Sequence, residues 1–430
     1  MLPAAVLQAW ASYYSSLEPK SMSSMTSPLF GADNSGPSAS SVNYNRVNAT
    51  FPSSWTGTEA QRTIVLGGPC TISHLYMQVD IAPGAGTSYT FTVMKNGSAT
   101  AVAVTIADGA TSGTDAVNSV SFSAGDTISI RCTPTNTPAS NNNQYWNLQV
   151  TTNDLTAPIL SGMGATSTSA VNYGSLTAGT ASVSSWSVAE ADMQIIVPTN
   201  GVLSKLYARI SSTPGSGKSY NFTLMKNGVA TALDATISDT NSAASNTAQS
   251  VSVAPGDTIT IRSTPTGTPT SQPSISFGMV FTPAVPGETF FGFGSSFLPS
   301  TTAANYEQVM GIGNLGWVGN EGNRQMVFGP YMLRSLYVKL VTAPGGAATR
   351  TFTMRKNNAN TALAVTLTGA AATGNITNDV TYSQGDIITI GSTTASTPAA
   401  ATGGVHTGVL VYATPVITAP DPFTPVIMIY

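Results

Sequence analysis

The sequence predicts an all-β protein built from three tandem β-sandwich domains, and three observations carry that expectation. The first is a motif written three times: Tyr89-Thr-Phe-Thr-Val-Met-Lys-Asn-Gly97 returns as Tyr220-Asn-Phe-Thr-Leu-Met-Lys-Asn-Gly228 and, more loosely, as Arg350-Thr-Phe-Thr-Met-Arg-Lys-Asn-Asn358. The second is a Gly-Asp step that follows each copy and opens an apolar alternation, at Asp126, Asp257 and Asp386, with Lys-to-Asp spacings of 31, 31 and 30 residues. The third is composition. Charged residues are 8% of the chain, where about 25% is usual, yet 41% of residues are hydrophobic and the net charge is only −3. That combination belongs to folded chains, with Ser, Thr, Asn and Gly supplying solubility. A period of about 130 residues is too long for a solenoid repeat and suits whole domains.

The elements follow in chain order. Residues 1–28 read as a helical arm, because Leu2, Val6, Trp10 and Leu17 fall at helical spacing on one face. That face is either packed on the first domain or a docking face for a partner. Repeat 1 (29–152) opens with strands near Leu29-Phe30-Gly31 and Val42-Asn43-Tyr44. It continues through short runs rich in β-branched and aromatic residues, parted by Gly, Pro, Asn, Asp and Ser. Lys95-Asn96-Gly97 and Lys226-Asn227-Gly228 are hairpin turns, since Asn-Gly accepts the positive φ angles of a type I′ turn; Asn357-Asn358 does the same less comfortably. Repeat 2 (159–282) and repeat 3 (289–413) copy the plan. Eight or nine strands per unit must fold as two packed sheets, and long early connections followed by a compact hairpin favour a jelly roll over the immunoglobulin plan. The linkers around Pro158 and Pro283 are short and Pro-stiffened, so the domains are expected to hold a limited range of mutual angles, as in a rod or plate. Residues 414–430 form an extended apolar C-terminal tail that needs covering by its own domain or a neighbour.

Several recurring residues invite a chemical reading. Asp126, Asp257 and Asp386 carry carboxylates, but a calcium site needs about six oxygen ligands, and Gly-Asp before a strand is a turn in which Asp satisfies backbone amides. Trp55, Trp186 and Trp317 each precede a Glu by four residues, at Glu59, Glu190 and Glu321. General acid–base work needs a second placed group, and none repeats, so the acids read as structural, each held by a backbone amide or by a strand arginine, with Arg131 and Arg262 as candidates; Gly391 stands in that place in the third copy. The Trp residues and the pairs Leu75-Tyr76, Leu206-Tyr207 and Leu336-Tyr337 read as core, with a sugar-stacking surface as the functional alternative.

Composition narrows the partners. The pI of about 5.3 and the lack of any Lys/Arg cluster argue against nucleic acid and against a polybasic membrane patch. No run approaches the roughly 20 apolar residues of a membrane span. His74 and His406 occupy inequivalent places, so no histidine metal cluster or other cofactor is expected. Cys70 and Cys132 both lie in repeat 1 and are either a bridge or two buried thiols.

The Phe-Thr-Val-Met-Lys-Asn-Gly hairpin, the Ala-Gly-Asp-Thr-Ile-Ser-Ile strand and the Thr-Pro-Thr-x-Thr-Pro turn together resemble the jelly-roll domains of bacteriophage virion proteins, with a general likeness to the C1q and tumour-necrosis-factor type of sandwich. The likeness spans the three repeats and misses both ends. It implies a non-enzymatic capsid decoration protein or a tail, spike or fibre component, located on the virion, commonly trimeric, whose partners are itself and other virion proteins. The alternative is an extracellular glycan- or cell-surface-binding adhesin module.

Overall fold

A computed structural model describes residues 24–51, 54–177, 179–180, 186–312, 316–398 and 404–413. The helical arm with Leu2, Val6, Trp10 and Leu17, and the tail after Ala413, lie outside the described residues. The protein is all-β, with antiparallel sheets that face each other in pairs, as a β-sandwich requires.

Repeat 1 contains β1 (Met25–Asp33), β2 (Asn43–Asn45), β3 (Ile64–Val65), β4 (Cys70–Val79), β5 (Gly84–Lys95), β6 (Ser98–Asp108), β7 (Ser112–Phe122), β8 (Thr127–Thr135) and β9 (Gln144–Thr152). One sheet runs β1-β9-β4-β7 and the other β2-β8-β5-β6, with β3 beside β8. Repeat 2 repeats both orders with β10 (Ala157–Ala165), β11 (Asn172–Gly174), β12 (Ile195–Ile196), β13 (Gly201–Ile210), β14 (Gly215–Lys226), β15 (Val229–Asp239), β16 (Ala243–Val253), β17 (Thr258–Thr266) and β18 (Ser274–Pro283). Repeat 3 does so again, except that its first strand is broken at Gly292 into β19 (Glu288–Phe291) and β20 (Phe293–Ser295) and gains a short parallel neighbour, β22 (Gly311–Ile312). Its remaining strands are β21 (Asn305–Glu307), β23 (Met326–Phe328), β24 (Met332–Leu340), β25 (Thr349–Lys356), β26 (Ala359–Thr368), β27 (Thr373–Thr381), β28 (Asp386–Ala395) and β29 (Val405–Tyr412).

Strand β1 begins at Met25, within the stretch assigned to the arm, and Met25 pairs with Thr152. The polar Thr26-Ser27-Pro28 sequence hid it, because the alternation that marks a half-exposed strand is lost where both faces are covered.

The local chemistry explains the hairpins. Asn96 and Gly97 (φ 51° and 80°), Asn227 and Gly228 (52° and 79°), and Asn357 and Asn358 (50° and 65°) all adopt the left-handed values of a type I′ turn. Between the sheets of each repeat, alternate side chains interdigitate. Phe91, Phe222 and Phe352 stand fully buried at corresponding positions of the central strand, and Leu75, Leu206 and Leu336 face them from the opposite sheet.

The three repeats are not strung out in a rod. Repeat 1 presents β3 to β10, β13 and β18 of repeat 2; repeat 2 presents the corresponding β12 to β24 and β29 of repeat 3; repeat 3 presents β23 to β1 and β9 of repeat 1. The same edge meets the same face three times, and the third contact returns to the start. A head-to-tail interface that closes on itself makes a ring. The limited range of mutual angles expected from the Pro-stiffened linkers is set instead by the packed seams, and the linkers only join neighbours.

Candidate functional site

The recurring Asp residues form a turn lock. Asp126 accepts hydrogen bonds from Ser123 N (2.8 Å) and Asn96 Nδ2 (2.7 Å) and pairs with Lys95 Nζ at 3.2 Å. Asp257 does the same with Ala254 N, Asn227 and Lys226, and Asp386 with Ser383 N, Asn357 and Lys356. The Asn side chain closes the loop by accepting from Thr127 N, Thr258 N or Ile387 N, each at 2.8 Å. Partial burial alone would raise these carboxyls, but the hydrogen bonds and the lysine outweigh it and hold all three below the usual carboxylate range. The Lys-to-Asp spacing seen in the sequence is thus a bond between the hairpin tip and the turn before the next strand.

The Glu residues each open a 3-10 turn, Glu59–Gln61, Glu190–Asp192 and Glu321–Arg324. Each accepts from a hydroxyl on the adjacent strand: Ser129 at 2.8 Å, Thr260 at 3.1 Å and Thr389 at 2.5 Å. Arg131 and Arg262 do not make the expected pairs, because the hydroxyl residue two positions earlier on the same strand sits nearer the turn. In repeat 3 an arginine does bind the acid, but it is Arg355 on β25, at 2.7 and 2.9 Å. Gly391 makes room for it, since a Cβ there would lie 3.0 Å from Arg355 Cδ.

The tryptophans pack inward. Trp55 lies 5.9 Å from Phe91 and 6.1 Å from Trp146, Trp186 meets Phe277 at 6.4 Å, and Trp317 sits between Phe293 and Phe352 at 5.8 and 5.7 Å. Trp186 is buried, and Trp55 and Trp317 are half-buried against their cores. The Leu-Tyr pairs divide: the leucines are core, whereas Tyr76 and Tyr207 lie at seams. A Cβ on Gly385 of repeat 3 would lie 3.4 Å from the Tyr76 hydroxyl, and one on Gly125 of repeat 1 would lie 3.4 Å from the Tyr207 ring. His74 occupies a bulge of β4 with φ 53°, and Cys70 and Cys132 are free and buried, with burial pushing the Cys70 thiol up to about 12. Among the described residues no group of three or more His, Cys, Asp or Glu is placed to hold a metal, and no helix is long and apolar enough to cross a membrane.

The seams are the most specialised surfaces of the protein. At the centre of the ring one residue from the first strand of each repeat enters the core of another. Phe30 packs with Phe291 and Phe328 of repeat 3 at 5.3 and 5.1 Å, Leu160 joins the core of repeat 1, and Phe290 meets Phe281 of repeat 2 at 5.0 Å. Around the axis, Asn48 Nδ2 donates to Leu160 O (2.8 Å) and Thr177 Oγ1 to Gly292 O (2.6 Å), while Met310 takes the third equivalent position. A cavity of only about 50 Å³ remains there. Farther out, the fully buried Arg46 donates to Thr180 O and Met163 O at 3.1 Å each, and Gln308, its counterpart in repeat 3, exchanges hydrogen bonds with the Phe51 backbone. Desolvation, with Arg62 nearby, lowers the Arg46 pKa well below its ordinary value.

Glycines let backbones touch across the seams. A Cβ on Gly278 would lie 2.2 Å from Val65 O, and one on Gly408 would lie 2.0 Å from Ile196 O. Sequence reasoning missed these residues and Arg46, Asn48 and Phe30. A glycine inside a strand is a known sign of another backbone close by, and Gly278 and Gly408 carried it.

No protein-family model matches the chain, and comparison with curated proteins returns no match.

Proposed function

We propose that the chain is a non-enzymatic structural protein of a bacteriophage particle, a capsid decoration protein or a tail or fibre component, made of three jelly rolls closed into a threefold-like block. The observation that carries this reading is that the recurring polar residues are spent on architecture: Asp126, Asp257 and Asp386 lock turns, and Glu59, Glu190 and Glu321 bind strand hydroxyls. The strand order supports the jelly-roll assignment, the first strand lying beside the last and the second beside the last but one in every repeat. Proteins of this type commonly associate as three chains; here three segments of one chain take those places, so self-association would join ring to ring or ring to other virion proteins. Met25, Leu155, Ala157 and Ala413 pack together, so the chain enters and leaves the ring at one pole. That pole is the natural attachment side for docking through Leu2, Val6, Trp10 and Leu17 and through the tail.

Mass spectrometry of purified particles should find the protein in many copies per virion, and its absence would remove the reading. Deletion of residues 1–23 or 414–430 should abolish incorporation while the ring stays folded. The cut must stop short of Met25, which belongs to β1. The second reading, a glycan- or cell-surface-binding adhesin module, is favoured by one feature, an open polar cleft at the first seam.

A further inference from the structure

We propose that the seam between repeats 1 and 2 carries a binding cleft for a neutral saccharide. The cleft is open to solvent and offers about 410 Å³, a volume comparable with the about 300–1,000 Å³ of small-molecule sites. Repeat 1 supplies Glu59, Thr63, Asn96, Gly97 and Thr127, and repeat 2 supplies Arg209. Glu59 uses Oε1 to accept from Ser129 and turns Oε2 toward Gly97 on the cleft wall. Arg209 is exposed at the end of β13 and makes no ion pair among the described residues.

At the other two seams a glutamine stands beside the pseudo-equivalent acid. Four residues after Glu190 stands Gln194, whose amide reaches back to Glu190 Oε1 at 3.5 Å. Four residues after Glu321 stands Gln325, bonded to Asn358, while Arg355 holds both oxygens of Glu321. In repeat 1 that place is Thr63, too short to fill the space. Among the described residues, the acid of repeat 1 is the one with no glutamine four residues on.

Its chemistry selects the ligand. A carboxylate can only accept hydrogen bonds and a guanidinium can only donate them, and their charges cancel. Vicinal hydroxyls satisfy both without adding charge, donating to Glu59 and accepting from Arg209, and Thr63 and Thr127 add further hydroxyl groups. A charged sugar gains nothing here, because attraction to one of Glu59 and Arg209 is offset by repulsion from the other. The inference stands apart from any place in a particle, since particle composition and saccharide binding are measured separately.

The test is a glycan array on the full chain, followed by calorimetric titration with the neutral oligosaccharides that bind. Thr63→Gln, which places a glutamine four residues after the acid as in the other two repeats, and Arg209→Ala should each weaken binding tenfold or more; Arg209 is exposed, so Arg209→Ala should leave the melting temperature unchanged and serves as the variant free of any folding effect. Glu59→Gln, which loses half its acceptor capacity, should weaken it less. No neutral glycan bound at millimolar concentration, binding unaffected by Thr63→Gln and Arg209→Ala, or binding of acidic sugars or free amino acids alone would each overturn the proposal.

Discussion

Gly278→Ala tests the seam between repeats 1 and 2 with a single methyl group. The added Cβ would lie 2.2 Å from Val65 O, 2.6 Å from Gly67 N and 2.9 Å from Leu66 C, whereas non-bonded carbon contacts are comfortable at about 3.5–4.0 Å. Every atom it meets is backbone, so no rotamer change relieves the clash. Val65 cannot retreat either, because β3 is pinned by pairing Ile64 with Ile128 and Val65 with Thr127 and by burial of both side chains. Overpacking of this kind costs about 1–3 kcal/mol or more, against a gain of about 0.4–1 kcal/mol from the less flexible unfolded chain. We expect a net loss of about 2 kcal/mol, and the same from Gly408→Ala, whose Cβ would lie 2.0 Å from Ile196 O. Gly57, where an added Cβ meets nothing within 4 Å, is the control, and Gly57→Ala should be neutral. Urea unfolding followed by tryptophan fluorescence reads the difference as a lower midpoint at unchanged slope. Midpoints for Gly278→Ala and Gly408→Ala equal to that of Gly57→Ala would refute the close approach of the repeats.

Three further outcomes follow from the charged and titratable groups. Replacing Asp257 by Ala should cost about 1–3 kcal/mol in chemical denaturation, since it removes hydrogen bonds to a charged acceptor and leaves Asn227 and Ala254 N without their partner. Because the native carboxyls of Asp126, Asp257 and Asp386 are held low, their stabilisation is complete above the unfolded carboxyl pKa of about 3.9 and is lost as pH falls below it. His406 acts over a higher window. It is buried at the seam of repeats 2 and 3, facing Lys339 on the neighbouring strand and Ala191 and Asp192 of the 3-10 turn, and burial lowers its pKa from 6.5 to about 4. The unfolded chain takes up that proton before the native one does, so stability should fall as pH drops from 6.5 to about 4. His406→Gln should flatten the denaturation midpoint across that window, and an unchanged profile would show that another group is responsible.

The parts of the fold that were legible in the sequence are those fixed by local backbone chemistry. Asn-Gly favours a tight hairpin and Gly-Asp a turn that opens a strand; the constant Lys-to-Asp spacing was visible, but the Lys–Asp contact behind it was not anticipated. The Glu partners were missed because the choice between a strand hydroxyl and a strand arginine depends on which lies closer to the turn, a distance no pattern encodes. Only repeat 3 adds an arginine to the acid, Arg355 on β25, at a position where repeats 1 and 2 carry Met94 and Met225. Ring closure was illegible for a different reason. Each seam is made by single residues drawn from segments far apart in the chain, such as Arg46 with Met163 and Gln384 with Asn147, and the three seams use different residues for equivalent tasks. Repetition revealed the units, while the divergence among the copies held the information about how they meet.

The contact between repeats 1 and 3 separates a ring from a string, and solution X-ray scattering of the monomeric chain measures it most directly. A compact body of 430 residues has a radius of gyration of about 22 Å, and the account predicts a value close to that with one narrow distance distribution. A clearly larger radius with a maximum dimension near three domain lengths would contradict it.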